Sequence, residues 1–205
     1  LLERPWGWWF DRSFGNVGGM ARPPSVLDDE LYDRLAEVFR TAGYEGASLG
    51  ALAEAARLRR ASLYHRFPDG KAQMAEAVLD RVGRLFEQFL EPMRTDPDTR
   101  AGVVRSAERI GELYGGGLLS CVMDTLPLHG APERVRRRAA EVAEMWVSTM
   151  ADAARRGGRP EIEAREAAED AFAWLEGGLV YGRLFGDGGP FQRALGRLPE
   201  LLLGP

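Results

Sequence analysis

From Val26 onward the apolar residues recur at three- and four-residue spacing, and no segment alternates apolar and polar residues as a half-buried strand does. Leu27, Leu31, Leu35, Val38 and Phe39 fall on one face of a helix. Ser25 or Asp28 can cap its start, and Gly43 stands where a left-handed stop is expected. Ser48 can cap a second, shorter helix that presents Leu49, Leu52, Ala53 and Ala56 to a core. A third runs from about Arg60 to Phe67, where Pro68, Asp69 and Gly70 end it. Three short helices in succession make a small helical domain.

Longer helices follow. One covers residues 71–90 through Met74, Val78, Val82, Leu85 and Phe89, limited by Pro92, and one covers 99–114, stopped by Gly115, Gly116 and Gly117. A shorter helix spans 118–126 and is closed by Pro127. Pro132 suits the first turn of the next, which buries Val135, Ala139, Val142, Trp146 and Met150 and ends at Gly157 and Gly158. The pattern then predicts a helix over 161–185 and an interrupted one over 191–202. The expected fold is therefore all-α, with a helix-turn-helix domain over 26–71 and a second helical domain over 72–205. Residues 1–25 show no period and hold Trp6, Trp8, Trp9 and the pair Pro23-Pro24. They are read as a disordered extension, with Met20 as the natural start; the alternative is that Trp6, Trp8, Trp9 and Phe10 dock on the protein surface.

Composition narrows the setting. Of 205 residues, 45% are hydrophobic and 28% charged, an ordinary globular balance. The net charge of −4 does not announce nucleic acid, so a DNA-binding reading must rest on local charge. Cys121 is the only cysteine, which rules out an intramolecular disulfide and suits a reducing cytoplasm. No apolar run approaches the roughly 20 residues that cross a bilayer. Leu1–Met20 is broken by Glu3, Arg4, Asp11 and Arg12, unlike a signal peptide. A cytoplasmic location with no membrane partner is expected.

The informative stretch is residues 48–71, SLGALAEAARLRRASLYHRFPDGK. A helix-turn-helix needs two short helices, a tight turn and a shared apolar seam. Leu52, Ala53 and Ala56 supply the first helix, Leu58 the turn, and Leu63 and Phe67 the second. The second helix then exposes Arg60, Ala61, Ser62, Tyr64 and His65, side chains able to meet base edges and phosphates in a major groove. Between Arg57 and Lys71 there are five basic residues and one acid, and phosphate neutralisation is the main sequence-independent term in DNA affinity. The competing reading is a helical hairpin with a solvated basic face.

The run Leu-Ala-Glu-Ala-Ala, a hydrophobic turn, Ser-Leu-Tyr-His-Arg-Phe-Pro and a following lysine resembles the DNA-binding domain of the TetR family, over about residues 26–82. The resemblance implies a ligand-responsive repressor that binds a pseudo-palindromic double-stranded DNA operator as a homodimer and is released by a small-molecule inducer. It implies that Tyr64 and His65 contact DNA from the recognition helix and that Ser48 and Lys71 contact phosphates near helix N-termini. Two positions depart from the pattern. Arg57 stands where a glycine usually ends the second helix, and Arg59 where a serine or threonine usually caps the third. Both arginines are candidates for added backbone contacts, so the expected DNA-binding set is Ser48, Arg59, Arg60, Ser62, Tyr64, His65 and Lys71.

The segment 161–185 carries two apolar stripes. One is Ala168, Phe172, Leu175, Leu179 and Gly182, and the other is Ala167, Ala171, Trp174, Gly178, Tyr181 and Phe185. A surface helix needs only one such face, so the second suggests burial against another subunit. With the last helix (Phe191, Leu195, Leu198 and Leu202) it would complete a four-helix interface of the family's kind. The interface expected comprises Phe172, Leu175, Leu179, Gly182, Leu195 and Leu198. Phe86, Phe89, Tyr114, Met123, Trp146 and Met150 lie on helices that surround the inducer pocket in that family. The shortage of charge among them favours an apolar or aromatic ligand.

Other constellations point to no chemistry. Cys121 has no histidine at a suggestive spacing and reads as a buried structural thiol. His65 and His129 alone make no metal cluster, and His129 reads as a turn residue. The triple glycine lacks the Gly-Lys-Ser/Thr ending of a phosphate loop. Arg134, Arg136, Arg137 and Arg138 neighbour Glu133, Glu141 and Glu144 and read as a solvated face. Glu161 and Glu163 have no apolar setting. Neither enzyme activity, nor a cofactor, nor a metal is expected. The alternative is a helical small-molecule-binding or enzymatic domain with a degenerate helix-turn-helix.

Overall fold

The computed structural model describes residues 25–127 and 130–204. The expectations for the extension over residues 1–24 and for His129 lie outside them. The described residues form helices and no strand. In chain order these are α1 (Ser25–Gly46), α2 (Leu49–Ala56), α3 (Arg60–Arg66), α4 (Lys71–Phe89), α5 (Glu91–Thr95), α6 (Thr99–Leu113), α7 (Val122–Thr125), α8 (Glu133–Arg156), α9 (Glu161–Phe185), α10 (Gly189–Gly196) and α11 (Leu198–Leu203). One continuous core runs through them, from Leu31, Leu35, Phe39, Leu52, Leu63 and Phe67 at one end to Leu175, Leu179, Phe191 and Leu202 at the other.

α1 packs on α2 and α4, so it joins the N-terminal helices to the rest. Arg81 of α4 is buried and reaches Asp33 at 3.2 Å and Asp29 at 3.5 Å on α1. Burial raises the Asp33 pKa, and the arginine counters it. α8 and α9 form the most extensive helix pair, and α10 and α11 lie across α9. Arg165 of α9 holds both Glu144 oxygens on α8, at 2.5 and 2.9 Å.

Three departures from the expected boundaries have local causes. Helix α1 continues to Gly46 through Gly43, which adopts φ 66° and ψ −177°, so the glycine kinks the end rather than stopping it. Pro92 does not close a helix but sits in the first turn of α5, where its missing N–H is harmless. The helix expected over 118–126 shrinks to α7, Val122–Thr125. Gly115, Gly116 and Gly117 all take positive φ, and the Tyr114 carbonyl accepts N–H bonds from Gly117, Leu118 and Leu119. Those turns use up the segment before a helix can begin.

Candidate nucleic-acid interface and the core behind it

Ser48 accepts a hydrogen bond from the Ala51 N–H at 3.1 Å and caps α2. At the other end Arg57 enters the left-handed region, φ 54° and ψ 36°, as the family's usual glycine would. Its N–H and that of Leu58 donate to the Glu54 and Ala53 carbonyls, closing the helix. Arg59 occupies the start of α3 without any side-chain cap. The seam is as the spacing requires: Leu52, Ala53, Ala56, Leu63 and Phe67 are buried, and Leu58 is half-buried.

The free face of this pair holds Ser48, Arg59, Arg60, Ser62, Tyr64 and His65, all exposed. Arg60 lies back over Gly50, where a Cβ would come within 3.0 Å of its guanidinium, so it shares the surface at the N-terminus of α2 with Ser48. Lys71 is half-buried at the start of α4. Its ammonium donates to the Glu45 carbonyl at 3.3 Å and lies 4.5 Å from the centre of the Tyr44 ring. Arg66 is paired with Asp28 of α1, which fixes the far end of α3. The basic surplus is thus divided between anchors, Arg66 and Lys71, and the exposed Arg57, Arg59 and Arg60. By contrast Arg134, Arg136, Arg137 and Arg138 are engaged with Asp69, Glu76, Glu133, Glu141 and Asp80.

The residues expected to line a ligand pocket are all buried: Phe86, Phe89, Tyr114, Met123, Trp146 and Met150. Phe86 and Trp146 meet at a ring separation of 4.7 Å, and Trp146 meets Phe172 edge-on at 5.6 Å. Tyr114 donates to the Cys121 sulfur at 3.1 Å. Burial holds both the Tyr114 and Cys121 protons well beyond their usual range, so the thiol is inert. The residue that the sequence reading missed is Glu176. Both of its carboxylate oxygens are shut away from solvent without a hydrogen-bond partner of ordinary geometry among the described residues. Burial pushes its pKa up to about 7. A single glutamate one turn after Phe172, within a long amphipathic helix, carries no sequence signal that separates it from solvated neighbours such as Glu169.

The expected dimer residues require a correction. Leu175, Leu179, Gly182, Leu195 and Leu198 are buried in this chain's own core, and Phe172 packs against it. A Cβ on Gly182 would collide with the Gly117 carbonyl, and one on Gly178 would come within 2.7 Å of Phe191 Cα. The small residues of α9 therefore admit the chain's own loop and α10, not a partner. Of the second stripe Ala171 and Gly178 are buried too, while Trp174, Tyr181 and Phe185 are exposed and, with Val180 and Leu184 of neither stripe, leave an uncovered apolar surface, Leu184 and Phe185 at 72% and 68%.

An all-α chain whose second and third helices make a helix-turn-helix with a free basic face is a DNA-binding transcriptional regulator. Residues 31–78 match the family described as "Bacterial regulatory proteins, tetR family". The match covers the helix-turn-helix and the helices that flank it, the DNA-binding part of that family's regulators. The chain is 24% identical over 187 residues to the HTH-type transcriptional regulator LmrA of Bacillus subtilis (strain 168), covering 85% of this chain and 95% of the relative. The TetR transcriptional regulator from Legionella pneumophila shares the fold with a TM-score of 0.78 at 16% identity, over 89% of this chain and 100% of that one. The TetR family regulator CifR, solved as a cysteine mutant with a 26-base-pair double-strand operator DNA, gives 0.68 at 25% identity, over 87% and 98%.

Proposed function

We propose that this regulator is a homodimeric repressor. It reads a pseudo-palindromic operator through Ser48, Arg59, Arg60, Ser62, Tyr64 and His65, with Lys71 at the edge of the contact, and a small molecule bound in the helical domain beyond Lys71 releases it. The observation that carries the DNA assignment is the free face of α3, which presents Arg60, Ser62, Tyr64 and His65 while Leu63 and Phe67 anchor the helix. The operator complex of CifR supports the same use of this fold. The dimer reading rests on the uncovered surface of α9, Trp174, Tyr181, Leu184 and Phe185, since apolar surface of this kind marks an interface. A two-fold axis through it would set the two recognition helices about 34–36 Å apart, one turn of DNA.

The test is a selection of genomic fragments with the purified protein at physiological salt. The expected result is one enriched inverted repeat, lost with Tyr64→Ala and His65→Ala. Retained sequence-specific binding in both variants would move the recognition surface elsewhere. No enrichment by a folded wild-type protein would overturn the repressor reading.

A further inference from the structure

Resting on the reading that the helical domain holds a small-molecule effector, we propose that the effector is an amphipathic organic cation, its protonated amine paired with Glu176 and its apolar or aromatic body set against Phe172 and Trp146. The shortage of charge among the candidate pocket residues favours an apolar or aromatic ligand over a strongly charged one. Glu176 reverses that preference.

Two poorly satisfied polar groups lie along one stretch of the core. Both Glu176 oxygens and the Trp146 Nε1 are buried without a hydrogen bond of ordinary geometry among the described residues, the Cys121 thiol being the one weak donor near the carboxylate. Phe172 connects them, one turn before Glu176 on α9 and 5.6 Å, ring to ring, from Trp146. Buried polar groups in native proteins are almost always satisfied. A carboxylate and an indole N–H, each near the same phenylalanine and neither well satisfied, form the complement of a ligand with a cationic donor, an apolar body and a hydrogen-bond acceptor.

The charged and titratable groups around Glu176 leave it free for this role. At the N-cap of α7 the thiol of Cys121 lies beside it, a weak donor, and Asp124 of α7 adds repulsion. Arg183, two helical turns further along α9, would be the natural partner, but it is held by Asp124 at 2.6 Å. Tyr114 spends its hydroxyl on Cys121, and Arg40 of α1, which acts on Tyr114, is paired with Glu37. The carboxyl is thus poised between its neutral and ionised forms at neutral pH, and an ammonium that arrives there stabilises the ionised one. The site also adjoins the DNA-binding end. α7 packs on α1, with the Thr125 carbonyl 3.3 Å from where a Cβ would stand on Gly43. A ligand that displaces Cys121 or Asp124 pushes on the kinked end of α1.

The experiment is calorimetric titration of the full chain, without DNA, with three matched probes: 4-phenylbutylamine, 4-phenylbutan-1-ol and 4-phenylbutyrate. The amine is expected to bind at least tenfold more tightly than the alcohol at pH 8, to lose affinity as pH falls below 6, and to release a fraction of a proton at pH 7. Glu176→Gln should abolish the amine's advantage and its proton release while leaving the alcohol's affinity unchanged. Equal affinities for amine and alcohol, or an amine advantage that survives in Glu176→Gln, would overturn the cation assignment and leave the effector domain standing. Binding of the butyrate alone would do the same. If a folded protein binds none of the three, the effector reading falls together with the proposal.

Discussion

Arg57 closes α2 in the left-handed region, φ 54°, where it is the only non-glycine with positive φ among the described residues. A Cβ in that conformation costs about 1–2 kcal/mol, partly offset because arginine has less backbone freedom to lose than glycine. Arg57→Gly is therefore expected to stabilise the protein by about 0.5–1 kcal/mol, read as a higher urea midpoint with an unchanged slope. A lower midpoint would mean that the exposed arginine makes compensating contacts. Arg57 and the uncapped Arg59 were both legible as exceptions, because the turn chemistry of a helix-turn-helix leaves few residue types comfortable at those two positions. The identities of the exposed Arg60, Tyr64 and His65 were equally legible. Their surroundings were not: the fold of Arg60 over Gly50 and the capture of Lys71 by Glu45 and Tyr44 join residues that are far apart in the chain.

At the scale of elements, α9 decides the most. Both of its apolar stripes follow from helical spacing, but spacing is symmetric about the axis and does not say which stripe meets the core. The triple-glycine loop and α10 settle it by lying against Gly182 and Gly178, which turns Trp174, Tyr181, Leu184 and Phe185 outward. Tyr181 and Phe185 pair their rings at 4.4 Å on that face. If the proposed dimer forms through this face, Leu184→Glu is expected to give a monomer in sedimentation analysis with helicity intact, since a charge placed in an apolar interface is left unpaired. A dimer that survives this change would place the interface elsewhere. Leu179→Glu, on the buried stripe, should instead unfold the protein. The short α5 and α7 were illegible for a different reason. A helix of four or five residues has too few positions to show a period, and its existence depends on what it packs against.

For the whole molecule, the pH dependence of stability has two opposed contributions. The folded pKa of Glu176 is raised from 4.5 to about 7, so its contribution to stability is fully present below 4.5 and is lost as pH rises through 7. Glu176→Gln, which stays neutral, should therefore match the wild type at pH 4.5 and exceed it at pH 8.5, by up to about 3 kcal/mol. A constant difference across that range would show that Glu176 titrates normally. Glu144 works the other way. Hydrogen bonds from Arg165 and Ser148 lower its pKa from 4.5 to about 2, so its contribution holds above 4.5 and is lost as pH falls towards 2. The group is exposed, and solvent screening keeps that contribution small. The unliganded protein should thus be most stable in mildly acidic solution, with a cationic ligand shifting the optimum upward.

The sequence by itself determined the all-α class, the helix-turn-helix and its outward-facing residues. Those depend on contacts between residues a few positions apart, where periodicity and turn chemistry act directly. Only the tertiary structure decided which surface of α9 is free, that the aromatic residues expected around a ligand are buried, and that the Glu176 carboxylate is buried with no more than a thiol beside it. Each of those depends on which distant segment covers a given face, and a one-dimensional pattern does not contain the depth at which a side chain comes to rest.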